Sequence, residues 1–315
     1  MIKYLYDLWL LHQQYKQIYF EFNALMHKPD KTLTLSLVIP VYNEERYLKA
    51  CLKAVAKQTV LPDEVIVVDN NSTDGTAEIA RSFPFVKLLH EPVQGLIAAR
   101  NRGFNEAKCE IIGRIDADAQ VSPDWVERVK RDFMDATVVG VTGLAYTDTV
   151  AGSRFKTRLW SRMYFLMREA DFKIYIFWGA NMAISKSAWT AIAAFTCPDD
   201  ALVHEDQDLS FLLATQGQRI LRDNKLLITT NGDEYNELPK FVEYMQRASA
   251  TKRRHSRAMR TAQASLHQLL PVERLWRLAV IIIPGAMFLL FGLGRYIIHG
   301  GGASVRSNPK SEDVS

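Results

Sequence analysis

Apolar and polar residues alternate in blocks along the first part of the chain. Leu35 to Pro40 (LSLVIP) is a short apolar run closed by proline, which predicts a buried strand. Asn43 stands where it can cap a helix over about Glu44 to Lys57. Glu64 to Asp69 (EVIVVD) reads as a second buried strand. The polar turn Asn70 to Gly75 follows, with Thr73 or Asp74 able to cap a short helix. Val86 to Leu89 is a third strand, Gly95 to Ala107 a helix, and Glu110 to Ile115 a fourth strand. Continuous apolar strands alternating with helices predict an α/β domain with a mostly parallel sheet and helices on both faces. Ligands on such sheets sit at the carboxyl ends of the strands. Tyr42-Asn43, Asp69-Asn70 and Asp116 to Asp118 all fall there, so three strands deliver polar groups to one edge.

After Asp118 the rhythm changes. The pattern predicts a helix from Pro123 to about Met134, a strand over Val138 to Tyr146 and a helix over Phe155 to Glu169. Phe177 to Asn181 is a turn-like aromatic segment before another short strand. Glu205 to Thr215 is helical, with Glu205, Asp206 and Asp208 in its first turn, where the helix dipole favours carboxylates. No internal repeat is evident. The tail from Gly300 is polar and is expected to be disordered.

The flanks differ from this core. In residues 1–30, Ile2, Leu5, Trp9 and Leu10 share a helical face. Such a helix fits a membrane surface, the domain itself or a partner equally well. Asp7, His12, Gln13 and Gln14 interrupt the apolar residues, which is not a secretory pattern. Leu278 to Ile298 is an apolar stretch of about 21 residues, roughly 31 Å as a helix, which predicts a membrane span within 275–299. Trp276 and Tyr296 would anchor its ends, and Arg295 would snorkel. Upstream, Lys252, Arg253, Arg254, Arg257 and Arg260 form a basic cluster within 236–274, suited to anionic lipid or to solvent. The positive-inside rule then puts residues 31–235 on the cytoplasmic side of a cell membrane. Within them, 31–118 form the first half of the domain and 119–235 the second.

Composition narrows the classes. With 315 residues and 48% hydrophobic content, a sizeable core is available. A net charge of +4 gives no reason to expect nucleic acid. Three dispersed cysteines (Cys51, Cys109, Cys197) argue against a disulfide framework or zinc site and fit a reducing compartment.

The candidate chemistry gathers at Ile111 to Asp118 (IIGRIDAD). An apolar run ends in two carboxylates of the same strand parity, and charge at the end of a buried element is costly unless something positive binds. A hard divalent cation, Mg²⁺ or Mn²⁺, holding a diphosphate would meet that cost.

Six segments then resemble, in order and spacing, those of the family 2 glycosyltransferases. They are VIPVYNEE (38–45), VVDNNSTDGT (67–76), GLIAARNRGF (95–104), RIDADA (114–119), WGANMAISK (178–186) and HEDQDLS (204–210). The resemblance covers roughly residues 33–225. It implies the GT-A fold, with a Rossmann-like, mostly parallel sheet. It also implies transfer of a sugar from a nucleotide-sugar donor with inversion at the anomeric carbon. Pro40, Tyr42, Asn43 and Glu44 would then line the nucleoside pocket, with Asp69 accepting from the base, usually uracil. Asn70 stands where the family often has a second Asp. Arg100 would lie near the base or diphosphate. Asp116 would face the ribose or metal, and Asp118 would bind the metal (Mn²⁺ or Mg²⁺) through the diphosphate. Trp178, Gly179, Ala180 and Asn181 would shape the sugar and acceptor pocket. Asp206, beside Glu205, would be the general base.

Inverting transfer is a single displacement that needs one base and one electrophile, and Asp206 and an Asp118-bound metal can supply them. A dinucleotide-binding dehydrogenase is excluded, because Pro-Val-Tyr-Asn-Glu replaces the Gly-x-Gly-x-x-Gly turn. A nucleotidyltransferase fits less well, since Glu44 and Glu45 occupy the segment expected to hold triphosphate. A non-catalytic scaffold and a polyprenyl-phosphate sugar synthase stay open. The membrane segment points to a lipid-linked or cell-envelope glycan acceptor. With one such segment and no Gln-x-x-Arg-Trp pattern, addition of one or a few sugars is expected rather than extrusion of a polymer.

Overall fold

The computed structural model describes residues 33–146, 174–230 and 246–256, together with residue 258 and helical residues between 161 and 172. The chain divides into Met1–His267 and Gln268–Ser315, and every described residue lies in the first unit. The expectations for residues 1–30, 155–160, 278–298 and the tail fall outside the described residues. Among those described, no helix is long and apolar enough to cross a membrane.

The elements, in order, are β1 (Leu35–Val41), α1 (Leu48–Val55), β2 (Glu64–Asp69), α2 (Thr76–Arg81), β3 (Val86–His90), α3 (Leu96–Glu106), β4 (Ile111–Ile115), β5 (Gln120–Val121), α4 (Trp125–Asp132), β6 (Val138–Tyr146), β7 (Asn181–Ser185), α5 (Lys186–Ile192), a 3₁₀ turn at Ala193–Phe195, α6 (Glu205–Thr215) and β8 (Arg219–Thr229). Among the described residues, eight strands form one sheet in the order β3-β2-β1-β4-β7-β6-β8-β5. Four pairings are parallel and three antiparallel. The parallel half is β3-β2-β1-β4, as expected from the alternating pattern; the second half is mixed.

Strand pleating sorts the core into two layers. Leu35, Leu37, Ile39 and Val41 of β1 face one side with α1, Trp125, Val126 and Val129. Val38, Ile66 and Val68 face the other with Phe104 of α3, Trp189 of α5, and Leu209 and Leu213 of α6. Continuous apolar runs in β1 and β2 are thus explained by burial on both faces. The apolar pattern over 219–229 is interrupted by Arg222 to Lys225, so this strand is not evident in the sequence. The structure absorbs them as a register shift between Thr142↔Arg222 and Leu144↔Leu227.

One pairing matters most for the site. β7 runs antiparallel to β4, with Ile115 opposite Asn181. The segment that precedes β7 therefore lies at the same edge as the segment that follows β4. The 177–180 turn and Asp116 to Asp118 meet there although one enters a strand and the other leaves one.

Asn181 locks this junction. It is fully buried, accepts from Trp125 Nε1 at 2.7 Å, and donates to the carbonyls of Leu144 (3.1 Å) and Leu226 (3.0 Å). Expected in the acceptor pocket, it is instead a core residue joining α4, β6 and β8. Asn181→Ala leaves a buried indole N–H and two carbonyls without this partner, so chemical denaturation should show a loss of roughly 3 kcal/mol; a change below about 0.5 kcal/mol would contradict this role.

Candidate active site

The carboxyl ends of β1 and β2 are laced together by side chains. Asn43, at φ 55°, donates its N–H to Ser72 Oγ at 3.0 Å and accepts from Thr73 N at 2.8 Å through Oδ1. Glu44 N donates to Thr76 Oγ1 at 2.7 Å, Glu45 N to Asp74 Oδ2 at 3.2 Å, and Gly75 N to Glu45 Oε2 at 2.8 Å. This corrects the expectation that Asn43 caps a helix from Glu44. The N–H groups of 43–45 go to the facing loop, and α1 starts only at Leu48. Asp74, rather than Thr73, orders the start of α2, accepting from Thr76 N at 3.0 Å.

Around this double loop lie the residues expected at a nucleoside. Pro40 is buried within β1 opposite Val68, Tyr42 is 51% exposed, and Asp69 is almost buried, accepting from Ser72 N at 3.2 Å. Asn70 turns away from solvent. Its Nδ2 donates to the carbonyls of Glu91 (2.9 Å) and Val93 (2.7 Å), and its Oδ1 accepts from Gly95 N at 2.7 Å. A carboxylate could accept from Gly95 but could not donate to the two carbonyls. Asn70 therefore pins the 91–95 loop.

The electrostatic centre is a buried ion chain. Glu205, the first residue of α6, bonds Arg100 Nη1 at 2.8 Å through Oε2 and pairs with Arg114 Nη1 through Oε1. Arg114 continues to Asp116, Nη2 to Oδ1 at 2.8 Å. Both guanidiniums are buried, and Arg100 lies 5.9 Å from the Phe104 ring and 5.7 Å from that of Trp189. Burial disfavours the charge on Arg114, but Glu205, Asp116 and Asp206 outweigh it and hold the guanidinium protonated more tightly than usual. Arg100 therefore departs from the expected place beside the base or diphosphate: it is sealed inside, on Glu205. Arg114 was not singled out from the sequence. Its signal was there, as one cation inside the apolar run Ile111 to Ile115, which must find a buried partner.

Gly179 lies against this chain, where a Cβ would collide with the Arg114 guanidinium and the Glu205 carboxylate. Its N–H donates to Asp206 Oδ2 at 2.9 Å, while Gln207 N donates to Asp206 Oδ1 at 2.7 Å. Two backbone donors thus fix the Asp206 carboxylate. Desolvation and the adjacent Glu205 charge push its pKa up to about 7, against the pull of those N–H groups and Arg114. Trp178 is half-buried and Ala180 nearly buried, so of the expected pocket segment it is Gly179 that reaches the carboxylate.

Asp116 and Asp118 are both half-buried at the end of β4, and the Asp116 side chain is 41% exposed. Among the described residues, no group of three or more His, Cys, Asp and Glu gathers as a closed metal cage. One or two carboxylates at an open edge fit Mg²⁺ or Mn²⁺, which complete their shells with phosphate oxygens and water.

Helical residues 246–256 pack behind α6. His255 Nε2 lies 2.7 Å from Asp208 Oδ1, His204 N donates to Thr251 Oγ1 at 2.9 Å, and Asp208 Oδ2 accepts from Cys197 N at 2.9 Å. Asp208 is therefore structural, although it shares the first turn of α6 with Asp206.

Residues 36–191 match the model described as glycosyl transferase family 2. The chain is 36% identical over 111 residues to the putative glycosyltransferase EpsH of Bacillus subtilis, covering 34% of this chain and 32% of that protein. It is 42% identical over 101 residues to the glycosyltransferase AglE of Haloferax volcanii, covering 30% and 33%. These matches span about a third of each curated relative. Among solved structures, the fold is similar to that of the mannosyltransferase PcManGT from Pyrobaculum calidifontis in complex with GDP-Man and Mn²⁺. The TM-score is 0.57 at 19% identity, over 93% of this chain and 91% of that one. It is also similar to S. aureus TarS 1–349 in complex with UDP-GlcNAc, with TM-score 0.52 at 19% identity over 85% and 76%. The match over residues 36–191 identifies a glycosyl transferase family 2 domain in this chain, on a sheet of GT-A type.

Proposed function

We propose that the chain is an inverting glycosyltransferase that moves a sugar from a nucleotide-sugar, a UDP-sugar, to a lipid-linked or cell-envelope glycan acceptor. In this reading it works at a cell membrane with the 31–235 domain in the cytoplasm. The observation that carries the proposal is Asp206. It is held by two backbone N–H groups, has a pKa of about 7, and follows Glu205, which the Arg114 bridge joins to Asp116. A base of that strength can take a hydroxyl proton near neutral pH and release it afterwards. The double loop of Asn43 and Asp74 presents a rigid floor for a nucleoside, with Tyr42 and Asp69 beside it. The Asn70-pinned 91–95 loop borders that floor.

The chemistry is one displacement. The acceptor oxygen attacks the anomeric carbon, its proton passes to Asp206, and the bond to the nucleoside diphosphate breaks on the opposite face. A divalent cation on Asp118 and Asp116 would neutralise the departing diphosphate. Glu205 has both oxygens engaged by arginines, so its part is to place α6 and raise the proton affinity of Asp206. That makes it a positioning residue.

Three sets of outcomes are expected, the first of them for Asp206. Asp206→Asn should lower kcat by about 10³-fold with donor binding unchanged; an unaltered turnover in folded protein would remove Asp206 from the mechanism. In the parent, kcat should fall as pH drops through about 7, because the base must be unprotonated. The same proton has a stability sign. With the folded pKa above the unfolded value of about 4, the native state loses stability as pH rises from about 4 to 7, and melting curves of Asp206→Asn should lack that slope.

Second, calorimetry with UDP, GDP, dTDP and CDP, with and without Mn²⁺, should find metal-dependent binding strongest for UDP and lost in Asp118→Ala. Metal-independent binding, or binding that survives the substitution, would count against this donor site. Third, Gly179→Ala should cost about 1–3 kcal/mol and most of the activity, since its Cβ meets the Arg114–Glu205 pair. An active enzyme melting like the parent would show that the pair can shift.

A further inference from the structure

The outer face of α1 carries charge of one sign. Leu48, Cys51, Leu52 and Val55 form the buried side of the helix. Helical turns continue past both ends, since Leu48 N donates to the Glu44 carbonyl and Ala56 N to that of Leu52. Arg46, Lys49, Lys53 and Lys57 then fall at i, i+3, i+7 and i+11, a stripe about 16 Å long opposite the buried side. All four are exposed, and so are Ala50 and Ala56, which share that side and add no charge.

The carboxylates around this stripe are engaged elsewhere. Glu45, one turn before Lys49, accepts from Gly75 N at 2.8 Å. Glu78 of α2 pairs with Arg81, Asp63 pairs with Lys130, and Glu127 of α4 accepts from Thr59 Oγ1. Arg46 lies 5.2 Å from the Tyr47 ring. Among the described residues, no carboxylate pairs with Lys49, Lys53 or Lys57. Lysines spaced at i,i+4 repel one another, so the row weakens its own helix unless something anionic lies on it. Beyond Lys57 the chain reaches Val60 and Leu61, within about 14 Å. Both are exposed, Leu61 by 60%.

We propose that this face of α1 docks on an anionic bilayer surface, with the lysines among the lipid head groups and Leu61 below them. The proposal rests on the reading that the chain works at a cell membrane and names the face that meets it. Compact, mobile ammonium groups suit a diffuse negative surface, and apolar residues at the end of the row suit the acyl boundary beneath it. β1 and β2 are parallel, so α1 runs back from the carboxyl edge of the sheet to its amino edge. A domain lying on α1 therefore holds the edge with Asp116 and Asp118 beside the bilayer plane.

The test uses the full chain in nanodiscs of phosphatidylcholine, alone or mixed with phosphatidylglycerol. Ala50→Cys in a Cys109→Ser background carries an environment-sensitive fluorophore, Cys51 and Cys197 being buried. Its emission should shift to the blue and be quenched by bilayer-borne spin labels in the anionic discs. Neither change should occur in neutral discs or at high salt. Lys49→Glu with Lys53→Glu and Lys57→Glu should abolish both changes. At about fivefold per lysine, the three contribute on the order of 10²-fold to the docking equilibrium. Equal signals in neutral and anionic discs would overturn the electrostatic docking, as would a signal that survives the triple variant. A chain that associates with the discs but gives no signal in either would overturn this face as the contact. A chain that associates with no disc would overturn the membrane reading and the proposal with it. UDP binding with Mn²⁺ should be unchanged in the triple variant, so a failed donor site gives a separate result.

Discussion

The arrangement of this domain depends on one buried carboxylate. Glu205 sits between Arg100 and Arg114, three charges drawn from α6, α3 and β4 and removed from water together. Any one of them left alone would be expensive to bury, since breaking a buried pair typically costs about 3–5 kcal/mol. Their mutual pairing therefore constrains three elements at once. Arg114 carries the constraint to Asp116 at the end of β4, and the peptide bond after Glu205 carries it to Asp206.

The same carboxylate has an electrostatic consequence. Its negative charge next to Asp206, together with desolvation, lifts the Asp206 pKa to about 7, while Arg114 and the Gly179 N–H act against a further rise. A half-buried acid with that proton affinity is costly to the folded state at neutral pH, a pattern expected where stability is exchanged for reactivity. The missing side chain of Gly179 is part of the same arrangement, because the Arg114–Glu205 pair occupies the space that a Cβ would need.

Sheet topology converts scattered segments into one site. β1, β2 and β4 bring Tyr42, Asp69 and Asp116 to their carboxyl ends, as a parallel sheet requires. The antiparallel β7 brings Gly179 to that edge from its amino end. Helical residues 246–256 then close the back of α6 through His255 and Thr251, so this part of the expected basic juxtamembrane segment belongs to the domain's packing.

The strands β1, β2, β4 and β6, the helix α6 and the edge carrying the polar groups were legible in the chain, because burial on both faces writes a continuous apolar run and a strand end writes an abrupt polar one. The aspartates at 69, 116 and 118 could be picked out by that contrast, whereas Asp206 stood out only through the family resemblance. The partners of buried polar groups could not. Asn181 and Arg100 carry the same letters whether they face a ligand or a core, and only long-range packing against Trp125 and Glu205 decided for the core. The helix expected from Glu44 failed for a similar reason, since the facing Asp74 and Thr76, some thirty residues away, took its backbone donors. Periodicity and charge along the chain are local properties, so the sequence by itself determined the layers, the edge and the candidate acids. Which charges neutralise one another depends on contacts between residues up to 105 positions apart, and only the tertiary structure decided that.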